Sequence, residues 1–127
     1  MIAGIGTDIA QVVRFERLLA AHGERIASRI LGEIELAEFR AARVPARFLA
    51  KRFAAKEAFA KAFGTGIRPP ATLHAIRVGH AELGRPVLEF APELDAEVRR
   101  RGLRCHLSIS DEADYAVAFV VLETRGD

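Results

Sequence analysis

The chain has 127 residues, of which 50% are hydrophobic, with one Tyr, no Trp and a formal net charge of +2. That length predicts one domain over residues 1–127, large enough for its own core, and the lone Cys105 excludes an intrachain disulfide framework and fits a reducing, cytoplasmic setting. No leader-like start and no apolar run of bilayer length is visible, so no membrane partner is expected, and basic residues that cluster within a near-neutral total favour phosphates or an acidic protein surface over nucleic acid.

Met1 to Ile9 reads as a strand whose glycines at 4 and 6 let another backbone approach closely, with Asp8 at its end. From Gln11 to about Leu31 the spacing of Val12, Phe15, Leu19, Ile26 and Ile30 is helical, broken near His22-Gly23 and studded with Arg14, Arg17, Arg25 and Arg29. Glu33 to Arg40 makes a short helical piece. Pro45 then opens a long helix that Gly64 stops. After the Pro69-Pro70 break, Leu73 to Val78 and Pro86 to Phe90 read as strands joined by a turn at Glu82 to Gly84. Pro92 to Arg101 is a helix closed by Gly102, and strands Arg104 to Ser110 and Tyr115 to Glu123 flank a turn at Asp111 to Asp114. In the first of these, Leu107 and Ile109 point one way while His106, Ser108 and Ser110 point the other. Arg125 to Asp127 is a loose tail.

The long helix breaks its own pattern. At about 100° per residue, Phe48, Leu49, Phe53, Phe59 and Phe63 form one apolar arc, and Arg52 and Lys56 fall inside it. Either these side chains snorkel past the rings or they close over something anionic. Between Arg40 and Arg68 the only acid is Glu57, set four residues before Lys61 among Arg43, Arg47, Lys51, Arg52 and Lys56. Taken singly, Asp8 fits a helix N-cap and Glu57 half of an exposed ion pair. Taken together, two carboxylates in a phosphate-seeking surface are what Mg²⁺ requires, since that ion takes one or two carboxylates and completes its octahedron with water and phosphate oxygens.

Other motifs carry less. Gly64-Thr65-Gly66 is first a helix stop, and no P-loop is present. His106, Ser110 and Asp111 lack the nucleophile elbow of a hydrolytic triad, so that reading is rejected. His106 fits better as a donor to an anion; His22, His74 and His80 have no metal-ligand spacing, and Cys105 reads as a core thiol.

Four blocks carry a resemblance: Gly4-Ile5-Gly6-Thr7-Asp8-Ile9; Arg52-Phe53-Ala54-Ala55-Lys56-Glu57-Ala58 followed by Lys61-Ala62-Phe63-Gly64-Thr65-Gly66-Ile67; Gly84-Arg85-Pro86; and His106-Leu107-Ser108-Ile109-Ser110-Asp111. In this order they resemble the holo-[acyl-carrier-protein] synthases, bacterial 4′-phosphopantetheinyl transferases of fatty-acid synthesis. The resemblance implies an α+β domain, an antiparallel sheet with a long central helix, assembling as a homotrimer with active sites between subunits. It implies transfer of phosphopantetheine from coenzyme A to a serine of apo acyl carrier protein, with release of adenosine 3′,5′-bisphosphate. Mg²⁺ would sit on Asp8 and Glu57, Arg52, Lys61 and His106 would hold the coenzyme A phosphates, and Gly64, Thr65, Gly66 and Pro86 would line the nucleotide site. The acyl-carrier-protein helix would begin at Arg14 and include Arg17 and Arg25; Asp111 would lie near the active site. Glu57, or a water that it orients, would take the serine proton. Lys56 would lie near the pocket or form an ion pair across the trimer. Two rival readings use the same residues: a nucleotide- or nucleic-acid-binding module without chemistry, which the scarcity of aromatics opposes, and a magnesium-dependent nucleotide hydrolase, which has no need of an arginine-studded docking helix.

Overall fold

A computed structural model describes residues 1–125; Gly126 and Asp127, in the expected tail, lie outside the described residues. Strand β1 (Ile2–Gln11) leads into helices α1 (Val12–His22), α2 (Glu24–Ile30), α3 (Glu33–Ala41) and α4 (Pro45–Phe63). Strands β2 (Ile76–His80) and β3 (Pro86–Phe90), helix α5 (Pro92–Arg100) and strands β4 (Leu103–Asp111) and β5 (Tyr115–Thr124) follow. The architecture is α+β, with every ladder antiparallel. One sheet has the order β1-β5-β4, and β2-β3 form a separate hairpin.

Local chemistry sets the boundaries. Gly23, at φ 61°, divides α1 from α2 where the helical spacing predicted a break. Pro45 occupies the first turn of α4, and Gly64 closes it at φ 92° with its N–H on the carbonyl of Ala60 at 3.1 Å. The strand expected from Leu73 starts only at Ile76. Thr72 explains the delay: its carbonyl accepts from the amides of Ala75 and Ile76 at 3.1 Å each, and its hydroxyl also accepts from Ala75, so the backbone turns before it extends.

The inner face of the three-stranded sheet packs on α4. Gly4, Gly6 and Ala10 of β1 and Ala116, Ala118, Val120 and Leu122 of β5 meet the buried Ala54, Ala55, Ala58 and Ala62 of the helix. Small residues on both sides bring helix and sheet unusually close. The outer face is different: Ile5, Ile9, Tyr115, Val117 and Phe119 are exposed there, with Ile9 opposite Val117 in the ladder.

The charges inside the apolar arc are explained within the chain. Lys56 is fully buried, and its Nζ donates to Glu35 Oε1 at 2.6 Å, Leu73 O at 2.7 Å and Ile30 O at 2.8 Å. Those acceptors use all three ammonium protons. The alternatives of a pocket-lining lysine or an ion pair across subunits therefore give way to an internal bond with Glu35. Arg52, 4% exposed, lies 4.5 Å over the Phe48 ring and donates to Glu35 at 3.3 Å, Glu38 at 3.2 Å and Val78 O at 3.3 Å. Glu35 also accepts from the amides of Gly32 and Val78 at 3.2 Å each, so it ties α3, α4 and β2 together. Burial pulls the Lys56 pKa below the ordinary lysine value, opposed by Glu35 and reinforced by Arg52 and Arg77.

Candidate active site

Four charged groups meet at the C-terminal half of β1. Asp8 sits on the inner side of the strand, opposite Ala118 in the ladder, and Thr7 Oγ1 fixes the register by donating to Ala118 O at 3.1 Å. Lys61, rather than remaining in a helical pair with Glu57, turns toward the strand, where its Nζ donates to Asp8 Oδ1 and Thr7 O at 3.0 Å each. The N-cap reading of Asp8 also falls away, because α1 is capped by Gln11 with no side-chain bond. Glu57 stands close enough for Asp8 to perturb it. Its pKa is pushed above the ordinary carboxylate range, first by desolvation and then by Asp8, while Lys61 and Arg14 oppose the shift. Arg14 closes the group from α1, its guanidinium 5.4 Å over the ring of Phe15 and 5.2 Å over that of Phe53.

The donor set suits a divalent cation. Two carboxylates that repel one another, one of them half-buried, gain from a shared positive charge. Among the described residues no third His, Cys, Asp or Glu joins them, which matches an ion that fills its remaining positions with water and phosphate oxygens. The loop after Lys61 is shaped by positive φ at Gly64, 92°, and at Gly66, 69°, with the Gly66 amide on Ala60 O at 3.2 Å. Thr65 spends its hydroxyl on the carbonyl of Gly66 at 2.8 Å. Arg101 braces the start of this loop, donating to Phe63 O at 3.2 Å with its guanidinium 4.0 Å over the Phe63 ring.

The remaining expected residues are distributed elsewhere. Pro86 and Arg52 line a cavity of about 190 Å³ together with Lys51, His80, Gly84 and Asp111. Asp111 lies 3.8 Å from Arg47 and 3.9 Å from Lys51, and Arg47 Nε is buried without a hydrogen-bond partner among the described residues. His106 projects from the outer face of β4 and meets Glu123 at 2.7 Å, on the opposite side of the sheet from Asp8. One chain thus brings Asp8, Glu57, Lys61 and Arg14 together but leaves His106 apart. Arg25 lines a shallow groove of about 210 Å³ with Leu18, His22, Ile26 and Arg29, and Arg17 is exposed on α1. Glu24 pairs with Arg40 of α3, and among the described residues Arg14, Arg17, Arg25 and Arg29 make no ion pair at contact distance with a carboxylate. Cys105 has its thiol pushed up by burial to about 11, consistent with the core reading.

Sequence reasoning missed Glu35, Glu38 and Arg101. The only available signal for Glu35 was the pair of cations misplaced in the apolar arc, which called for an internal acid without saying where it lay.

The sequence profile of the 4′-phosphopantetheinyl transferase superfamily matches residues 4–120. A holo-[acyl-carrier-protein] synthase of Azoarcus sp. (strain BH72) is 57% identical, the alignment covering 98% of this chain and 100% of that protein. One from Laribacter hongkongensis (strain HLHK9) is 59% identical, over 97% of this chain and 99% of the relative. Among solved structures, the holo-[acyl-carrier-protein] synthase of Neisseria meningitidis is 50% identical with a TM-score of 0.93, covering 98% and 100% of the two chains. That of Bacillus anthracis in complex with CoA (3′,5′-ADP) is 37% identical with a TM-score of 0.83, covering 98% and 99%.

Proposed function

The chain belongs to the 4′-phosphopantetheinyl transferase superfamily, and from that premise we propose that it moves 4′-phosphopantetheine from coenzyme A to a serine of apo acyl carrier protein with Mg²⁺, as a single transferase domain serving fatty-acid synthesis in the cytoplasm. It is an enzyme, as its holo-[acyl-carrier-protein] synthase relatives are. The observation that carries the reading is the convergence of Asp8, Glu57 and Lys61.

Asp8 and Glu57 would hold the ion, whose charge stabilises negative charge on phosphate oxygens. The serine Oγ attacks the β-phosphorus of coenzyme A, the bond from that phosphorus to the bridging oxygen breaks, and adenosine 3′,5′-bisphosphate leaves with the electron pair. Lys61 Nζ, exposed on its outer side and anchored by Asp8 and Thr7 O, faces the charge that develops on the transferring group. Glu57, or a water that it orients, takes the serine proton during attack. Gly64, Thr65 and Gly66 carry the nucleotide past the end of α4, and Pro86 lines its pocket. A phosphate that reaches Arg52 displaces Glu38, the solvent-facing one of its two carboxylate partners.

A second copy completes the site. His106 and the Asp8 cluster occupy opposite sides of the sheet, and the outer side carries exposed Ile5, Ile9, Val117 and Phe119. Covering that face in a homotrimer buries the apolar residues and takes His106 to the neighbour's coenzyme A. Acyl carrier protein, an acidic partner, docks on Arg14, Arg17 and Arg25. Incubation with coenzyme A, Mg²⁺ and apo acyl carrier protein, read by intact mass, tests the whole reading: the carrier gains one phosphopantetheine. Hydrolysis of coenzyme A with the carrier unmodified overturns it.

A further inference from the structure

We propose that Gly4 and Gly6 are positioning residues which set the spacing between Asp8 and the Glu57–Lys61 pair; the inference rests on the reading that Asp8 and Glu57 hold a divalent ion. A Cβ on Gly6 would overlap the carbonyl oxygen of Ala58 and stand 2.7 Å from the amide nitrogen of Ala62, and a Cβ on Gly4 would overlap the Ala62 carbonyl. These are helix backbone atoms with no flexible side chain to yield, so an added methyl forces strand and helix apart. Neither glycine has positive φ. Space, rather than conformational freedom, is what each supplies.

The contact points coincide with the chemistry. Ala58 follows Glu57 on α4, Ala62 follows Lys61, and Gly6 precedes Asp8 by two positions, on the same side of β1. Parting the elements here lengthens the 3.0 Å reach of Lys61 Nζ to Asp8 Oδ1 and to Thr7 O, and draws Asp8 away from Glu57, without altering any group that would bind. The neighbouring contact of α4 with β5 is made by side chains such as Val120 and Leu122, which can adjust their packing.

The test reads metal binding directly, by electron paramagnetic resonance of Mn²⁺ titrated into the full chain without substrate. Gly6→Ala should bind Mn²⁺ about tenfold or more weakly, the loss typical when support behind metal ligands is disturbed. Leu122→Ala, which truncates the inner core of β5, serves as the control; compared at equal remaining fractions folded, it should keep wild-type affinity. Asp8→Glu supplies the decisive comparison. Its extra methylene should weaken binding in the wild-type background and strengthen it in Gly6→Ala, a coupling of opposite sign that general destabilisation does not produce. Should Gly6→Ala be insoluble, Gly4→Ala carries the same comparisons. Wild-type Mn²⁺ affinity in the glycine variants, equal losses in Gly6→Ala and Leu122→Ala, or failure of Asp8→Glu to rescue would each overturn the spacing. Asp8→Ala separates this from the metal reading: if it abolishes binding while Gly6→Ala does not, only the spacing fails; if it leaves binding intact, the metal assignment falls with it.

Discussion

Helix α4 carries two clusters of charge built from the same residue types and treated in opposite ways. Around Lys56 and Arg52 the charged groups are paired within the chain, because the ammonium has three acceptors and Glu35 accepts from four donors, and Glu38 alone among the carboxylates there faces solvent. On another face of the helix, beginning at the very next residue, Glu57 lies near a second carboxylate, and the Lys61 side chain is 53% exposed. A saturated cluster holds its own chain; an unsaturated one, with like charges left facing each other, is ready for something from outside. The difference separates fold from function better than burial or residue type alone, since both clusters contain Lys and Glu.

If the division is right, substitutions should separate activity from stability. The largest effects belong to the open cluster: Asp8→Ala and Glu57→Gln should each reduce transfer by about 10²–10⁴-fold, the range for losing an acid–base group, while circular dichroism stays unchanged. A near-normal rate with normal Mg²⁺ dependence in either variant would erase the distinction. The closed cluster should give the reverse result. Glu35→Ala strands Lys56 in the core and should cost about 3–5 kcal/mol in chemical denaturation, with transfer per folded molecule largely retained.

The docking surface should give a smaller effect. Arg14→Glu should raise the Michaelis constant for acyl carrier protein roughly fivefold, equivalent to about 1 kcal/mol, flatten its salt dependence and leave that for coenzyme A nearly unchanged. Equal losses for both substrates would move the docking surface elsewhere.

The smallest effect concerns stability of the metal-free chain. Glu57 holds its proton more tightly folded than unfolded, so folding takes up protons between the ordinary carboxylate value and the raised one. Stability should fall as pH rises through that window, and Glu57→Gln should remove the fall, melting slightly higher than wild type at neutral pH. A catalytically dead variant that is also a little more stable is the signature of a group held for chemistry rather than for the fold. A lower melting temperature would place Glu57 with the closed cluster instead.

Much of this was legible in the chain because it is written locally. Pro45 and Gly64 mark the ends of α4, Gly23 divides the first helical stretch, and the alternation of Leu107 and Ile109 against His106 and Ser108 gives the two faces of β4. The expectation that Asp8 and Glu57 share an ion came from residue chemistry and family resemblance rather than from any local pattern, and the direct bond from Lys61 to Asp8, 53 residues away, was not expected. What stayed hidden is tertiary. Glu35 lies 21 residues before Lys56, in a polar stretch where nothing distinguishes it from Glu33 or Glu38. Arg52 shows the same limit: its place in the apolar arc suggested a waiting phosphate, yet two glutamates of α3 already satisfy it.

The ladder that holds Asp8 has a consequence for how the protein is made. Among the described residues strand β1 pairs only with β5, so Ile2 waits for Glu123 and Asp8 for Ala118, and the edge of the sheet closes only after β5 has left the ribosome. Helices α1 to α4 can form earlier from local contacts, but the first strand must remain unpaired through their synthesis, at the entropic cost of closing a very long loop. Folding should therefore be limited by the arrival of β5, and a chain stopped before Tyr115 should contain Asp8, Glu57 and Lys61 without being able to hold them together.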